Sequence, residues 1–200
     1  APLDFSLGPY TRALTLTVGD LNRDGKQDLA VGVTGDGARR AVAILLGKGD
    51  GTFDFTPTPG FNFNFPFDMT VADMDGDGRL DLVAAHSPDP RIAGKLEVLK
   101  GLGDGSFMFM PGGGDPAAPI TTDVRTGARL AAVADLDGDG RLDAVLTGSD
   151  KVSILLGNGD GTFQPAVDYD APGAHDVVDG DYNGDGRLDL IADKPGDAMP

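Results

Sequence analysis

The nine residues DLNRDGKQD at 20–28 return as DMDGDGRLD at 73–81, DLDGDGRLD at 135–143 and DYNGDGRLD at 181–189. Their common pattern is D-x-[DN]-x-D-G-x-x-D, and their starts lie 53, 62 and 46 residues apart. A second element follows the first three copies: LLGKGDGTF at 45–53, LKGLGDGSF at 99–107 and LLGNGDGTF at 155–163. A unit of about 50 residues lies in the range of propeller blades and exceeds solenoid repeats built on one strand.

Within each unit the residues read as strand. Short β-favouring runs precede the first Asp (TLTVG and DMTVA), and further runs follow the loop at 29–33, 82–85 and 144–147. Another set lies at 41–46, 95–99 and 151–156, and the G-x-G-D-G-[TS]-F element reads as a Gly-rich hairpin leading to an outer strand. Four strands per unit make a propeller blade, and no stretch carries helical spacing between caps. The fold expected is all-β: a β-propeller region over 1–200, with repeats of about 14–66, 67–128, 129–174 and 175–200, the last incomplete. Residues 3–13 resemble 166–175 and read as the outer strand of a preceding blade. That gives three nearly complete blades with partial ones at both ends, a piece of a longer protein or an open array closed by another chain.

Composition removes several function classes. The formal charge of −16 makes a poor nucleic-acid binder. No apolar run is long enough to span a bilayer. The absence of cysteine excludes disulfides, thiolate chemistry and Cys-based zinc sites together. The acid is almost entirely Asp, with Glu97 the single Glu, and 14 of the 31 Asp lie in the four loops. Asp in such excess belongs to turns, where its short side chain bonds nearby backbone and ligates cations.

The loops have the chemistry of a hard-cation site. Calcium takes six to eight oxygens, and alternate residues of a curled loop aim at one centre. The first, third and fifth positions offer side-chain oxygens and the seventh a carbonyl. The sixth is always Gly (Gly25, Gly78, Gly140, Gly186), expected at positive φ. An EF-hand is excluded, because its twelfth position needs a bidentate Glu and here holds Val31, Ala84, Leu146 or Ala192. An Asp at the ninth position is available instead. Without a counter-ion each cluster of three or four carboxylates repels itself, so four simple polar turns are a poor explanation of the set. Four Ca²⁺ would move the formal charge from −16 to −8. Magnesium suits such loops less, since it demands near-octahedral geometry. On charge count alone, the loops with Asn22 and Asn183 should bind more weakly than the other two.

This pairing of motifs resembles the FG-GAP or VCBS repeat, found in the β-propellers of integrin α subunits, of fungal and bacterial lectins and of secreted bacterial proteins. The resemblance runs through all four copies. It implies one calcium site from Asp20, Asn22, Asp24, Asp28 and the Lys26 carbonyl. A second comprises Asp73, Asp75, Asp77, Asp81 and the Arg79 carbonyl, and a third Asp135, Asp137, Asp139, Asp143 and the Arg141 carbonyl. The fourth would use Asp181, Asn183, Asp185, Asp189 and the Arg187 carbonyl. It further implies a secreted or cell-surface, non-catalytic module that binds a glycan or protein ligand. A self-assembling surface protein and an accessory domain of a larger secreted enzyme are the competing readings.

The remaining features read as structural. Asp50, Asp104 and Asp160 recur in the hairpin and are expected to form turns, and Phe53, Phe107 and Phe163 to pack between blades. The alternating run FNFNFPF at 61–67 reads as an outer strand, and MPGGGDPAAP at 110–119 as a surface insertion. His86 and His175, the only histidines, stand in unrelated contexts, and no nucleophile elbow occurs. Asp179 departs from the other copies, which have Val18, Val71 and Val133 at its position.

Overall fold

A computed structural model of the chain describes residues 10–35, 40–56, 66–86, 94–109, 120–124, 128–148, 150–174 and 176–193. These residues form strands and turns, with no helix among them. The first sheet is an antiparallel meander of β1 (Tyr10–Gly19), β2 (Asp28–Gly35), β3 (Arg40–Gly47) and β4 (Phe53–Thr56). The second runs β5 (Pro66–Ala72), β6 (Asp81–His86), β7 (Gly94–Gly101) and β8 (Phe107–Phe109), with β9 (Ile120–Val124) also paired to β7. The third holds β10 (Arg129–Ala134), β11 (Asp143–Gly148), β12 (Lys151–Leu155) and β13 (Val167–Asp170). A two-stranded sheet of β14 (Val177–Gly180) and β15 (Asp189–Ala192) follows.

The second sheet departs from four strands per unit. β8 pairs with β7 at Leu99, Lys100 and Gly101, while β9 pairs with it from Gly94 to Val98. Its outer strand is therefore two segments laid end to end along one edge. The proposed insertion at 110–119 lies between them, outside the described residues.

Strand periodicity explains how the sheets stack. Successive side chains point to opposite faces, so a strand enclosed on both sides reads as a continuous apolar run. In β6, Leu82 and Ala84 join Ala30, Val42 and Ile44 of the first sheet in one core cluster. Their neighbours Val83 and Ala85 join Leu130, Ala144 and Leu146 of the third sheet in another. Val145 and Val152 then meet Val177 of the fourth. Phe107 lies in the first of these junctions and Phe163 packs against the second, as expected, whereas Phe53 packs against a cluster of the first sheet alone.

The two ends of this stack differ from its middle. Ile191 follows its loop at the same offset as Ala30, Val83 and Val145, which are fully buried, yet it is 50% exposed. Leu16 and Val18 on β1 are exposed too, beside a cluster of Val31, Val33 and Ala43 contributed by the first sheet alone. Asp179 pairs with Leu190 in the β14–β15 ladder and is exposed, so the strand forms despite losing its valine.

One expectation is corrected. Residues 10–13 are not the outer strand of a preceding blade; they begin β1, with Tyr10 opposite Gly35 and Ala13 opposite Val33. The β1 ladder carries two register shifts there, which lengthen the strand beyond the short run visible in sequence. Residues 3–9 of that segment and 61–65 of the aromatic run lie outside the described residues.

Leu146, 1% exposed between the second and third sheets, is a sharp test of this packing. Leu146→Ala should cost about 2–5 kcal/mol in urea unfolding. Val178→Ala, at a 53% exposed position, should stay within about 0.5 kcal/mol.

Candidate metal centre

Each Asp-rich loop links the first strand of a sheet to the second, and its coil is built by carboxylates accepting from the loop's own backbone. In the second loop Asp73 Oδ1 accepts from Asp77 N at 3.0 Å and Oδ2 from Gly78 N at 2.8 Å. Asp75 Oδ1 accepts from Asp77 N and Asp77 Oδ1 from Arg79 N. The same ladder recurs from Asp20, Asp135 and Asp181. The sixth-position glycines have φ of +81°, +80°, +86° and +82° in chain order, as expected. The fourth position is also left-handed, and only the first loop places a side chain there, Arg23 at φ +63°.

The ninth-position Asp has a second task that sequence reading missed. Asp28, Asp81 and Asp143 are 0%, 0% and 1% exposed. One oxygen of each accepts from the second residue of its loop: Leu21 N, Met74 N and Leu136 N, all at 2.9 Å. The other accepts from the glycine that opens the hairpin motif: Gly47 N at 2.7 Å, Gly101 N at 2.9 Å and Gly157 N at 2.8 Å. These glycines have no alternative, since a Cβ at Gly47, Gly101 or Gly157 would lie 2.1, 2.0 or 2.1 Å from the carbonyl oxygen of Gln27, Leu80 or Leu142. The two repeated motifs are therefore one unit, loop docked on hairpin. In the fourth loop Asp189 Oδ2 accepts from Tyr182 N, and its Oδ1 lies 3.4 Å from Asn183 Nδ2.

The second position anchors the loop to the core. Leu21 and Met74 are buried in the first and second junctions, and Leu136 packs in the third. Tyr182, the fourth copy, is exposed. In the hairpins, Asp50, Asp104 and Asp160 each accept from the N–H and hydroxyl two residues on, which holds their carboxyls below the usual range. They are turn formers.

The geometry gathers some of the expected ligands and turns others aside. In the second loop one oxygen each from Asp73, Asp75 and Asp81 fall within 4.8 Å of one another, and in the third loop those of Asp135, Asp137 and Asp143 do so. The first and fourth loops carry Asn22 and Asn183 at the third position and form no three-carboxylate group of this kind among the described residues. The fifth-position carboxylates face the seventh residue instead: Asp24 meets Lys26 at 3.0 Å, Asp139 meets Arg141 at 3.4 Å, and Asp77 pairs with Arg79. Asp185 accepts from Arg187 N. Lys26 and Lys100 hold Asp24 and Asp77 respectively below the usual carboxylate range.

A profile described as FG-GAP-like repeat matches residues 20–84 and 135–192, together more than half of the sequence. The chain belongs to the FG-GAP-like repeat family. Among curated proteins none matches it. Among solved structures it is similar to an Agrocybe aegerita lectin described as recognising non-reducing terminal N-acetylglucosamine, with 24% identity and a TM-score of 0.55. The match covers 92% of this chain and 47% of the lectin, so the chain spans about half of that protein's length. A Photorhabdus luminescens Tc holotoxin pore is matched at 22% identity over 90% of this chain and 11% of that one, with a TM-score of 0.33 that is too low to equate the folds.

The FG-GAP repeat implies calcium, and the donor set fits it. All side-chain donors are hard carboxylate or amide oxygens, the second and third loops each bring three of them within 4.8 Å of one another, and cysteine is absent. The first- and ninth-position carboxylates are held by backbone N–H groups, so they are oriented before an ion arrives.

Two measurements follow from the ninth position. Asp143→Ala orphans the buried Gly157 N–H and the part-buried Leu136 N–H and should cost about 1–3 kcal/mol for the first and less for the second, even in EDTA. Asp137→Ala, whose carboxylate accepts only from Asp139 N within its own loop, should cost much less under the same conditions. Burial pushes the Asp81 carboxyl up to about 6. The folded chain then keeps this proton between about pH 4 and 6, where the unfolded chain has released it. The ionised carboxylate thus destabilises the calcium-free fold above about pH 6, and that effect fades as the pH falls towards 4. A carboxyl ¹³C titration of the calcium-free protein should show Asp81 with a midpoint near 6, and a midpoint below 4 would contradict this account.

Proposed function

We propose that the chain is a calcium-stabilised, non-catalytic β-propeller module that acts outside the cell and binds a glycan or protein ligand. The observation that carries the calcium reading is the convergence of three carboxylate oxygens within 4.8 Å in both four-Asp loops. An ion there neutralises charges that otherwise repel across a loop already fixed to the hairpin and the core. Calcium affinity becomes folding stability, because the unfolded chain has no such site. If the sites are of the weak extracellular kind, with Kd of about 10⁻⁴–10⁻³ M, they fill only outside the cytosol, and this together with the family likeness favours a secreted or surface location.

The non-catalytic reading rests on how the carboxylates are used. Those of the loops are engaged by backbone N–H groups, and His86 lies buried with its Nε2 3.1 Å from Glu97 Oε2. The ligand class rests on the fold likeness to a lectin, which is support by analogy. Self-assembly is a second reading, favoured by the exposed Leu16 and Val18 at one end of the stack and Tyr182 and Ile191 at the other. Head-to-tail docking of such faces extends or closes an array.

The test is a thermal melt of chelator-stripped protein with and without millimolar Ca²⁺, with Mg²⁺ as control. At about 1 mM, roughly one to ten times such a Kd, each filled site stabilises by about 0.4–1.4 kcal/mol, so summed over the sites a calcium-selective rise of several degrees is expected. An unchanged melting temperature would refute the metal reading. Glycan-array binding by a monomer supports the ligand module; calcium-induced oligomers without glycan binding support the assembly reading.

A further inference from the structure

The second loop differs from the others in one respect that its Asp pattern hides. The residue before the hairpin glycine is Leu46 in the first sheet and Leu156 in the third, but Lys100 in the second. Its Nζ pairs with Asp75 Oδ2 and lies 2.7 Å from Asp77 Oδ2. The third and fifth positions of the loop, both expected ion ligands, thus share one ammonium.

This contact is unlike the fifth-to-seventh pairs of the other loops. The Lys26–Asp24 and Arg141–Asp139 side chains are 42% and 33%, and 52% and 38%, exposed. Lys100, Asp75 and Asp77 are 24%, 13% and 23% exposed, so their attraction is less screened by water. Asp137, the third-loop counterpart of Asp75, receives no Lys or Arg among the described residues. Arg79 already pairs with Asp77, so Lys100 is a second cation at this loop.

We propose that Lys100 is the resident cation of the second loop, a built-in competitor that stabilises this coil without calcium and makes it the harder of the two four-Asp loops to fill. The inference rests on the calcium reading above. A divalent ion at the Asp73, Asp75 and Asp81 cluster needs the Asp75 carboxylate that the ammonium holds, and must displace it. Charge count alone ranks the second and third loops together, each with four carboxylates; Lys100 separates them. The second sheet is thereby less dependent on calcium than the third.

The test reads each loop separately. Gly78 N and Gly140 N donate to the first-position Asp of the second and third loops, at 2.8 and 2.9 Å, so their amide resonances report filling site by site. In the wild-type chain Gly78 should need about tenfold more calcium than Gly140, a gap in the range that ligand charge sets in such loops. Lys100→Leu, which restores the residue of the other two sheets, should bring the two midpoints together. It should also lower the melting temperature in EDTA and enlarge the rise on adding calcium. Lys100→Met, which keeps the unbranched stem, should do the same and guards against a packing artefact. If Gly78 titrates with or before Gly140, or if neither variant moves the Gly78 midpoint, Lys100 is no competitor while the calcium reading stands. If no loop glycine responds up to about 10 mM calcium, an order of magnitude above the weak extracellular class, both readings fall.

Discussion

The structure depends on a buried carboxylate that bridges two pieces of chain far apart in sequence. Asp28, Asp81 and Asp143 each hold the second residue of their own loop with one oxygen and the start of the next hairpin with the other. A buried carboxylate is costly unless every lone pair facing the protein is used. Here two charge-assisted backbone bonds offset part of that cost, the remainder showing at Asp81 as a carboxyl raised by burial, and they fix the loop's entry, its exit and the hairpin's start at once. The requirement for glycine at Gly47, Gly101 and Gly157 follows from the same approach, because the two backbones meet where a side chain would stand.

Loop and core are coupled through the residue beside that bridge. The N–H bonded to the ninth-position Asp belongs to Leu21, Met74 or Leu136, whose side chains enter the contact with the following sheet. Gly105 of the second sheet also donates to the carbonyl of Leu21, tying one sheet's hairpin to the previous sheet's loop. The closed coil therefore places an apolar side chain at a sheet junction, so the loop's backbone bonds and the packing between sheets meet at one residue.

The repeat, the all-β class and the loop positions were legible in sequence because each depends on local spacing. Glycine in a left-handed turn and Asp at alternate positions leave signatures within nine residues. What was not legible depends on contacts between segments. The double role of Asp81 requires knowing that Gly101 N lies beside it, twenty residues on. The start of β1 was misjudged because its pairing with β2 passes through two register shifts that carry no composition signal. Asp24, Asp77 and Asp139 look equivalent to the other acids in the pattern, yet turn towards the seventh residue, since a basic side chain two positions on is within reach. Lys100 lies outside the Asp pattern altogether and enters the loop only through the fold.

Variation among the four copies has a physical order to it. The backbone scaffold of the loop is kept in all of them, because its hydrogen bonds come from first-, third- and fifth-position oxygens that Asn supplies as well as Asp: Asn22 and Asn183 accept from Asp24 N and Asp185 N just as Asp75 and Asp137 do from theirs. What changes is the charge, by removal of a carboxylate in the first and fourth loops and by delivery of an ammonium in the second. Shape and charge are separable in this motif: one set of atoms curls the loop, and a smaller set decides how much positive charge it asks for. The third loop, with four carboxylates and its nearest cation an exposed Arg141, keeps the largest unmet demand, and it sits at the sheet that joins the well-packed part of the stack to its exposed end.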